Sequence, residues 1–175
     1  MSSSVFATLD NSKLGLKLCY PFVEALVNTL KVQCSVPVTF GHPSLRMGDS
    51  KVPFDLALSI SIVNPDTLAL VTICFPNEVF LGVLGKMFGE TYETITPELE
   101  DAGKEIINMV FNQSKKVLVA KGISGIRAIP AVYFGKNLRF QHMSKGVVVE
   151  IPLFSEWGPF HMEITTQEVS VSDKV

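Results

Sequence analysis

Only three cysteines and three histidines occur among the 175 residues, and neither set has the spacing of a disulfide framework or a zinc site. Cys19, Cys34 and Cys74 are odd in number and far apart, which excludes a disulfide-stapled scaffold. Cys74 lies inside an apolar run and reads as a small buried hydrophobe. His42, His142 and His161 are not paired with a cysteine or with each other at a ligand spacing, so no protein-built metal site is expected and no cofactor of the chain's own. His142 and His161 read as surface or half-buried strand residues. A basic stripe is also lacking, and the net charge is −2, which argues against a nucleic-acid partner. No apolar run approaches the roughly 20 residues that span a bilayer, so no membrane insertion is expected. The start, Met-Ser-Ser-Ser, has neither the basic flank nor the apolar run of a secretory signal, and the expected location is cytoplasmic. No Gly-Lys-Ser/Thr follows the glycines between Gly82 and Gly89, and no Gly-x-Ser-x-Gly occurs, so neither a phosphate loop nor a nucleophile elbow is present.

What the chain does have is apolar residues. They make up 47% against 18% charged, too many for disorder and enough to fill the core of one domain spanning residues 1–175. The surplus belongs in that core, in a subunit interface, or in both. Apolar residues recur at helical spacing from about Tyr20 to Val32, with Pro21 suited to a first turn. A short β-type run covers Val36 to Phe40, and His42 to Lys51 reads as a loop. Phe54 to Val63 alternates strictly, with Phe54, Leu56, Leu58, Ile60 and Ile62 on one face. Asn64-Pro65-Asp66 then turns the chain into a second strand, Thr67 to Phe75. Helices are predicted from Asn77 to Phe88, stopped by Gly89, and from Pro97 to Lys121, capped by Thr96 and stopped by Gly122. Strands follow at Arg127 to Phe134, Leu138 to His142, Val147 to Leu153 and Phe160 to Thr166. Their turns are at Gly135-Lys136-Asn137, Ser144-Lys145-Gly146 and Glu156 to Pro159. The tail from Gln167 reads as frayed. Helices and strands are segregated, so the expected class is α+β, a mostly antiparallel sheet with helices on one face. Helices carrying Asn28 and Asn108 are each followed by β-type sequence, a weak internal repeat.

On the second long helix, taken at about 100° per residue, Leu99, Ala102, Ile106, Val110, Gln113 and Val117 form the core stripe. Glu98, Asp101, Glu105, Asn108, Asn112 and Lys115 form an outward stripe. Glu105 and Asn108 are three apart and therefore neighbours. A carboxamide can donate to and accept from one water at once, while a carboxylate can grip a partner's cation. Taken alone, Glu-x-x-Asn is most often an ordinary solvated face.

The surrounding text is more specific. Leu84-Gly-Lys-Met-Phe-Gly-Glu90, then Glu100-Asp-Ala-Gly-Lys-Glu-Ile-Ile-Asn-Met109, with Lys115, Leu118 and Gly122, resembles the CheC/CheX/FliY family of chemotaxis phosphatases, its CheX branch most closely. Pro21-Phe-Val-Glu-Ala-Leu-Val-Asn-Thr-Leu30 and Ile129-Pro-Ala-Val-Tyr-Phe-Gly135 fit the same branch. The resemblance implies hydrolysis of the aspartyl phosphate of a CheY-type response regulator. Asn108 would orient water, Glu105 would engage a partner lysine, and Mg²⁺ would be carried by the partner. Asp101, Lys104, Asn112 and Lys115 would lie in the docking surface. It also implies a homodimer paired through the sheet, with Val147 to Leu153 as a candidate edge. Asn112 stands where the family often has glycine, after Phe111 where a small residue is usual. Ala25 stands three before Asn28, so a second Glu-x-x-Asn is absent. A weakly catalytic module that binds a response regulator or the flagellar switch, and a purely structural oligomerisation domain, are the alternatives.

Overall fold

The structure, a computed structural model, describes residues 14–47, 49, 52–63, 65, 67–139 and 147–168. In chain order these form α1 (Leu14–Gln33), β1 (Thr39–Phe40), β2 (Ser44–Met47), β3 (Phe54–Val63) and β4 (Thr67–Phe75). They continue as α2 (Asn77–Phe88), α3 (Pro97–Ala120), β5 (Arg127–Leu138), β6 (Val147–Ser155) and β7 (Gly158–Glu168). The class is the α+β arrangement expected. No helix among the described residues is long and apolar enough to cross a membrane.

The strands build one seven-stranded sheet in the order β1-β6-β7-β4-β3-β5, with β2 beside β1 on β6, and every pairing is antiparallel. The order reads as two interlocked halves. The hairpin β3–β4 takes its outer neighbour, β5, from the second half, and the hairpin β6–β7 takes β1 and β2 from the first. Exchanging the halves reproduces the same order reversed, so the repeat seen in the sequence is a swap of edge strands about the β4–β7 seam. Each half also supplies one long helix, and α1 packs against α3.

The three helices cover one face of the sheet. Leu56, Leu58, Ile60 and Ile62 of β3, Val71 and Ile73 of β4, and Met162 and Ile164 of β7 meet Phe22 and Leu26 of α1, Phe80 and Leu84 of α2 and Ile106 of α3 in one core. At about 25 cal/mol per Å², burial of this set is the main stabilising term.

Several details differ from the sequence reading. α1 begins earlier, so Pro21 lies inside it rather than in its first turn. Pro21 removes one backbone donor there, while its carbonyl accepts from Ser114 Oγ of α3 at 3.3 Å. The expected strand Val36 to Phe40 shrinks to two residues, and the expected loop after His42 contains β2, paired with β6. Gly135-Lys136-Asn137 is not a turn. β5 runs through it as one strand, and the register against β3 shifts between Phe54 and Leu56. The bulge is pinned by Asp55, whose carboxylate accepts from the backbone N–H of Asn137 at 3.2 Å and of Asn77 at 3.0 Å. Turn-forming residues and Asn137 at φ +52° suit a bulge as well as a turn. The same shift takes Phe54 off the face of Leu56 and puts it with Ala57, Cys74 and Leu138. β6 is not an edge: β7 flanks it on one side and β1 and β2 on the other, which removes Val147 to Leu153 as a dimerisation edge. Among the described strands the sheet ends on β5 at one side and on the short β1 and β2 at the other. His142 and the turn at residues 144–146 lie outside the described residues, as does the tail beyond Glu168, while β7 extends through Gln167 and Glu168.

Candidate functional site

α3 forms where the sequence places it because both ends are specified. Leu99 N–H donates to Thr96 Oγ1 at 3.4 Å, Pro97 occupies the first turn with Glu98 and Glu100, and Gly122 at φ +85° follows the last turn. Acidic residues in a first turn complement the helix dipole.

The helix is held on several sides. Gly103 lets it approach the sheet closely: a Cβ there would meet Leu58 Cδ2 at 2.9 Å and the Phe80 ring at 3.3 Å. Ser114 Oγ shares its one proton between Val110 O at 2.7 Å and the more distant Pro21 O at 3.3 Å. Gln113 Nε2 donates to Thr29 Oγ1 at 3.0 Å. The buried strip comprises Leu99, Ala102, Gly103, Ile106, Ile107, Val110, Ser114 and Leu118. Val117, expected inside, is 38% exposed, and Ile107 and Leu118 take up the burial instead. A uniform 100° projection cannot anticipate that the first turns meet β3 and Phe80 while Gln113 and Ser114 meet α1.

The opposite strip faces away from the core as expected, but Asn108, expected to be exposed, is partly covered. Glu105 is exposed and Asn108 half-buried, one turn apart. Neither has a polar partner among the described residues, so a carboxylate and a carboxamide stand together uncommitted on a fixed helix. Asp101, Asn112 and Lys115 are exposed on the same strip. Lys104 is tied to Asp101 at 3.1 Å and Glu100 at 3.3 Å. Those hydrogen bonds, to Asp101 first and then Glu100, raise its pKa above the ordinary lysine value. Lys115 Nζ lies 5.9 Å from the centroid of the Phe111 ring. The strip can therefore engage cations through Glu105, water through Asn108, and anions through Lys115.

A second polar cluster, on the face of the sheet away from α1, α2 and α3, escaped the sequence reading. Arg46 of β2 pairs with Glu150 of β6 (Nε to Oε2, 2.9 Å) and Glu163 of β7 (Nη2 to Oε1, 2.7 Å). His161 Nε2 lies 3.2 Å from the same Glu163 oxygen, and Ser59 and Thr72 share a hydrogen bond at 3.2 Å. His161 is buried, not at the surface, and Cys74 is buried beside this cluster. The available signal was the presence of Glu150, His161 and Glu163 inside otherwise apolar strand sequence.

Residues 64–153 match the family described as chemotaxis phosphatase CheX. A CheC-like superfamily protein from Shewanella sp. PV-4 is 31% identical, with a TM-score of 0.79 over 86% of this chain and 97% of that one. The chemotaxis protein CheX from Vibrio vulnificus is 27% identical, with a TM-score of 0.79 over 86% and 99%. The CheX–CheY–BeF3–Mg²⁺ complex from Borrelia burgdorferi shares the fold, with a TM-score of 0.68 and 18% identity over 86% and 97%. Comparison with curated proteins finds no match.

Proposed function

The chain belongs to the CheX family of chemotaxis phosphatases, and we propose that it hydrolyses the aspartyl phosphate of a CheY-type response regulator in the cytoplasm, using Asn108 and Glu105 of α3. The observation that carries this reading is the pair itself: two side chains of complementary chemistry, adjacent, accessible and without a partner among the described residues, on a helix fixed by the core and by α1. The Borrelia protein of the same fold, solved with CheY, BeF3 and Mg²⁺, supports a partner of that type.

In this mechanism the Asn108 carboxamide accepts a hydrogen bond from one water and donates one back, holding its oxygen in line with the phosphorus. The new bond joins water oxygen to phosphorus, the bond to the aspartyl oxygen breaks to leave the free carboxylate, and both water protons leave with the phosphate as H2PO4−, which can pass one to solvent. Glu105 pairs with a lysine of the regulator and fixes the docked geometry. The phosphorylated aspartate and Mg²⁺ belong to the regulator, so this chain supplies positioning. That suits phosphoryl transfer, where alignment and charge stabilisation do most of the work. Asp101, Asn112 and Lys115 flank the pair as docking contacts, and Lys104 orders Asp101.

Self-association through the sheet accompanies this reading, placed at β5, the longer of the two edges among the described strands. Ile129 and Phe134 on that strand are 65% and 56% exposed, and Tyr133 is exposed beside them. An apolar edge strand of twelve residues is a ready template for a second copy. The test of the catalytic assignment is the decay of a phosphorylated regulator with and without this protein, repeated with Asn108→Ala.

A further inference from the structure

On the sheet face away from the helices, three different donor types converge. Cys74 of β4 and His161 of β7 are directly opposed in the register, and Glu163 follows His161 by two, hence on the same face. Their thiol sulfur, ring nitrogen and carboxylate oxygen all lie within 4.8 Å of one another. The residues are 0%, 6% and 1% exposed. Cys74 and His161 are 87 positions apart in the chain, so no ligand spacing in the sequence could announce them.

We propose that Cys74, His161 and Glu163 form a site for one first-row transition-metal ion, Zn²⁺ foremost. The donor set selects the metal: sulfur and imidazole nitrogen favour zinc and its neighbours, whereas Mg²⁺ and Ca²⁺ take oxygen. Zinc–ligand bonds of about 2.0–2.3 Å require modest side-chain rotations from the observed cluster, on a backbone held by paired strands. Glu150 and Glu163 face each other across β6 and β7, and Arg46 bridges both. Glu163 can serve both cations because a carboxylate offers about four lone-pair positions.

Binding exchanges contacts in a balanced way. His161 coordinates through Nε2 with its proton on Nδ1, giving up its contact with Glu163. Cys74 coordinates as thiolate, and its proton passes to solvent, one per ion bound. Burial, reinforced by Glu163 and Glu150, holds the Cys74 pKa well up in the absence of metal, so the site competes for the ion against that proton. The ion ties β4 to β7, the seam between the two halves of the fold, and its role is structural and independent of the α3 strip.

The experiment uses the full chain, stripped with chelator and dialysed, titrated with Zn²⁺ and with Co²⁺. The expected result is one equivalent bound, a thiolate-to-cobalt charge-transfer band, and a higher melting temperature with Zn²⁺. Cys74→Ser, which keeps the side-chain size, and His161→Gln should each weaken binding by roughly 100-fold or more, while Cys34→Ser should leave it unchanged. X-ray absorption of the zinc-loaded unmodified protein should show one sulfur among nitrogen and oxygen ligands, a readout that does not depend on any variant folding. The proposal is overturned if the unmodified chain binds no stoichiometric Zn²⁺, if the bound ion has no sulfur ligand, or if binding persists unchanged in Cys74→Ser.

Discussion

Asn28 of α1 donates through Nδ2 to Gln113 Oε1 of α3 at 2.9 Å, and Gln113 donates onward to the buried Thr29. In the first half of the fold the mid-helix asparagine is thus spent on holding the second half's helix, while its counterpart Asn108 has no partner among the described residues. Gln113→Ala strands the Thr29 hydroxyl without its partner in a buried position, which should cost about 1–3 kcal/mol. Asn28 is exposed, so Asn28→Ala should cost only about 0.5 kcal/mol, and the double variant should be non-additive because the groups share one network. Urea unfolding of the three variants measures this; equal costs for the two single changes would contradict it.

Asn112 lies exposed on the docking strip, one turn beyond Asn108. Asn112→Gly separates two roles for this side chain: kcat/KM with a phosphorylated regulator should rise if Asn112 crowds the partner, and fall if it adds a docking contact. The substitution should also lower stability by about 0.5–1 kcal/mol, the usual cost of glycine within a helix. Unchanged activity at lower stability would show that the partner does not touch position 112.

The cysteines should be silent in the native protein. Burial pushes Cys19 up to about 12 and Cys34 to about 11, from an ordinary value of 9.0. A thiol reagent near pH 8 should label none of the three until denaturant is added. The sign for stability follows from linkage. The folded chain holds these protons more tightly than the unfolded one, so their contribution is complete below about pH 9 and is lost as pH rises through 11 to 12. Stability measured across that alkaline range should fall; a flat profile would contradict the burial of these thiols.

Pairing through β5 makes a prediction about mass. The unmodified protein should sediment at twice 19.2 kDa at micromolar concentration, and Ile129→Lys with Phe134→Glu should sediment as a monomer with the fold intact. A monomeric unmodified protein would remove the dimer from the account.

Legibility in the sequence followed range of interaction. α2, α3 and the β3–β4 hairpin could be read closely because local signals fix them: Thr96 and Gly122 at the ends of α3, strict alternation in β3, turn residues between the strands. Glu105 and Asn108 could be placed on one outward strip for the same reason, since three residues on a helix is a local distance. What stayed hidden depends on partners distant in the chain. Whether Gly135 to Asn137 bend the chain or bulge it depends on Asp55, and whether β6 is an edge depends on β1 and β2. The direction of Val117 depends on where α1 crosses, and His161 meets Cys74 only through the register of β4 with β7.

The most direct test follows the phosphorylated form of a CheY-type regulator after addition of Asn108→Ala. Asn108 is not in the buried core, so its loss should leave stability within about 0.5 kcal/mol. Removing one positioned hydrogen-bonding group should slow dephosphorylation on the order of 10²-fold or more. Glu105→Ala should lower kcat/KM more than kcat, because it weakens docking. Decay accelerated by the unmodified protein and near the spontaneous rate with Asn108→Ala is the predicted result. Acceleration by Asn108→Ala equal to that of the unmodified protein would contradict the assignment of the water-positioning group.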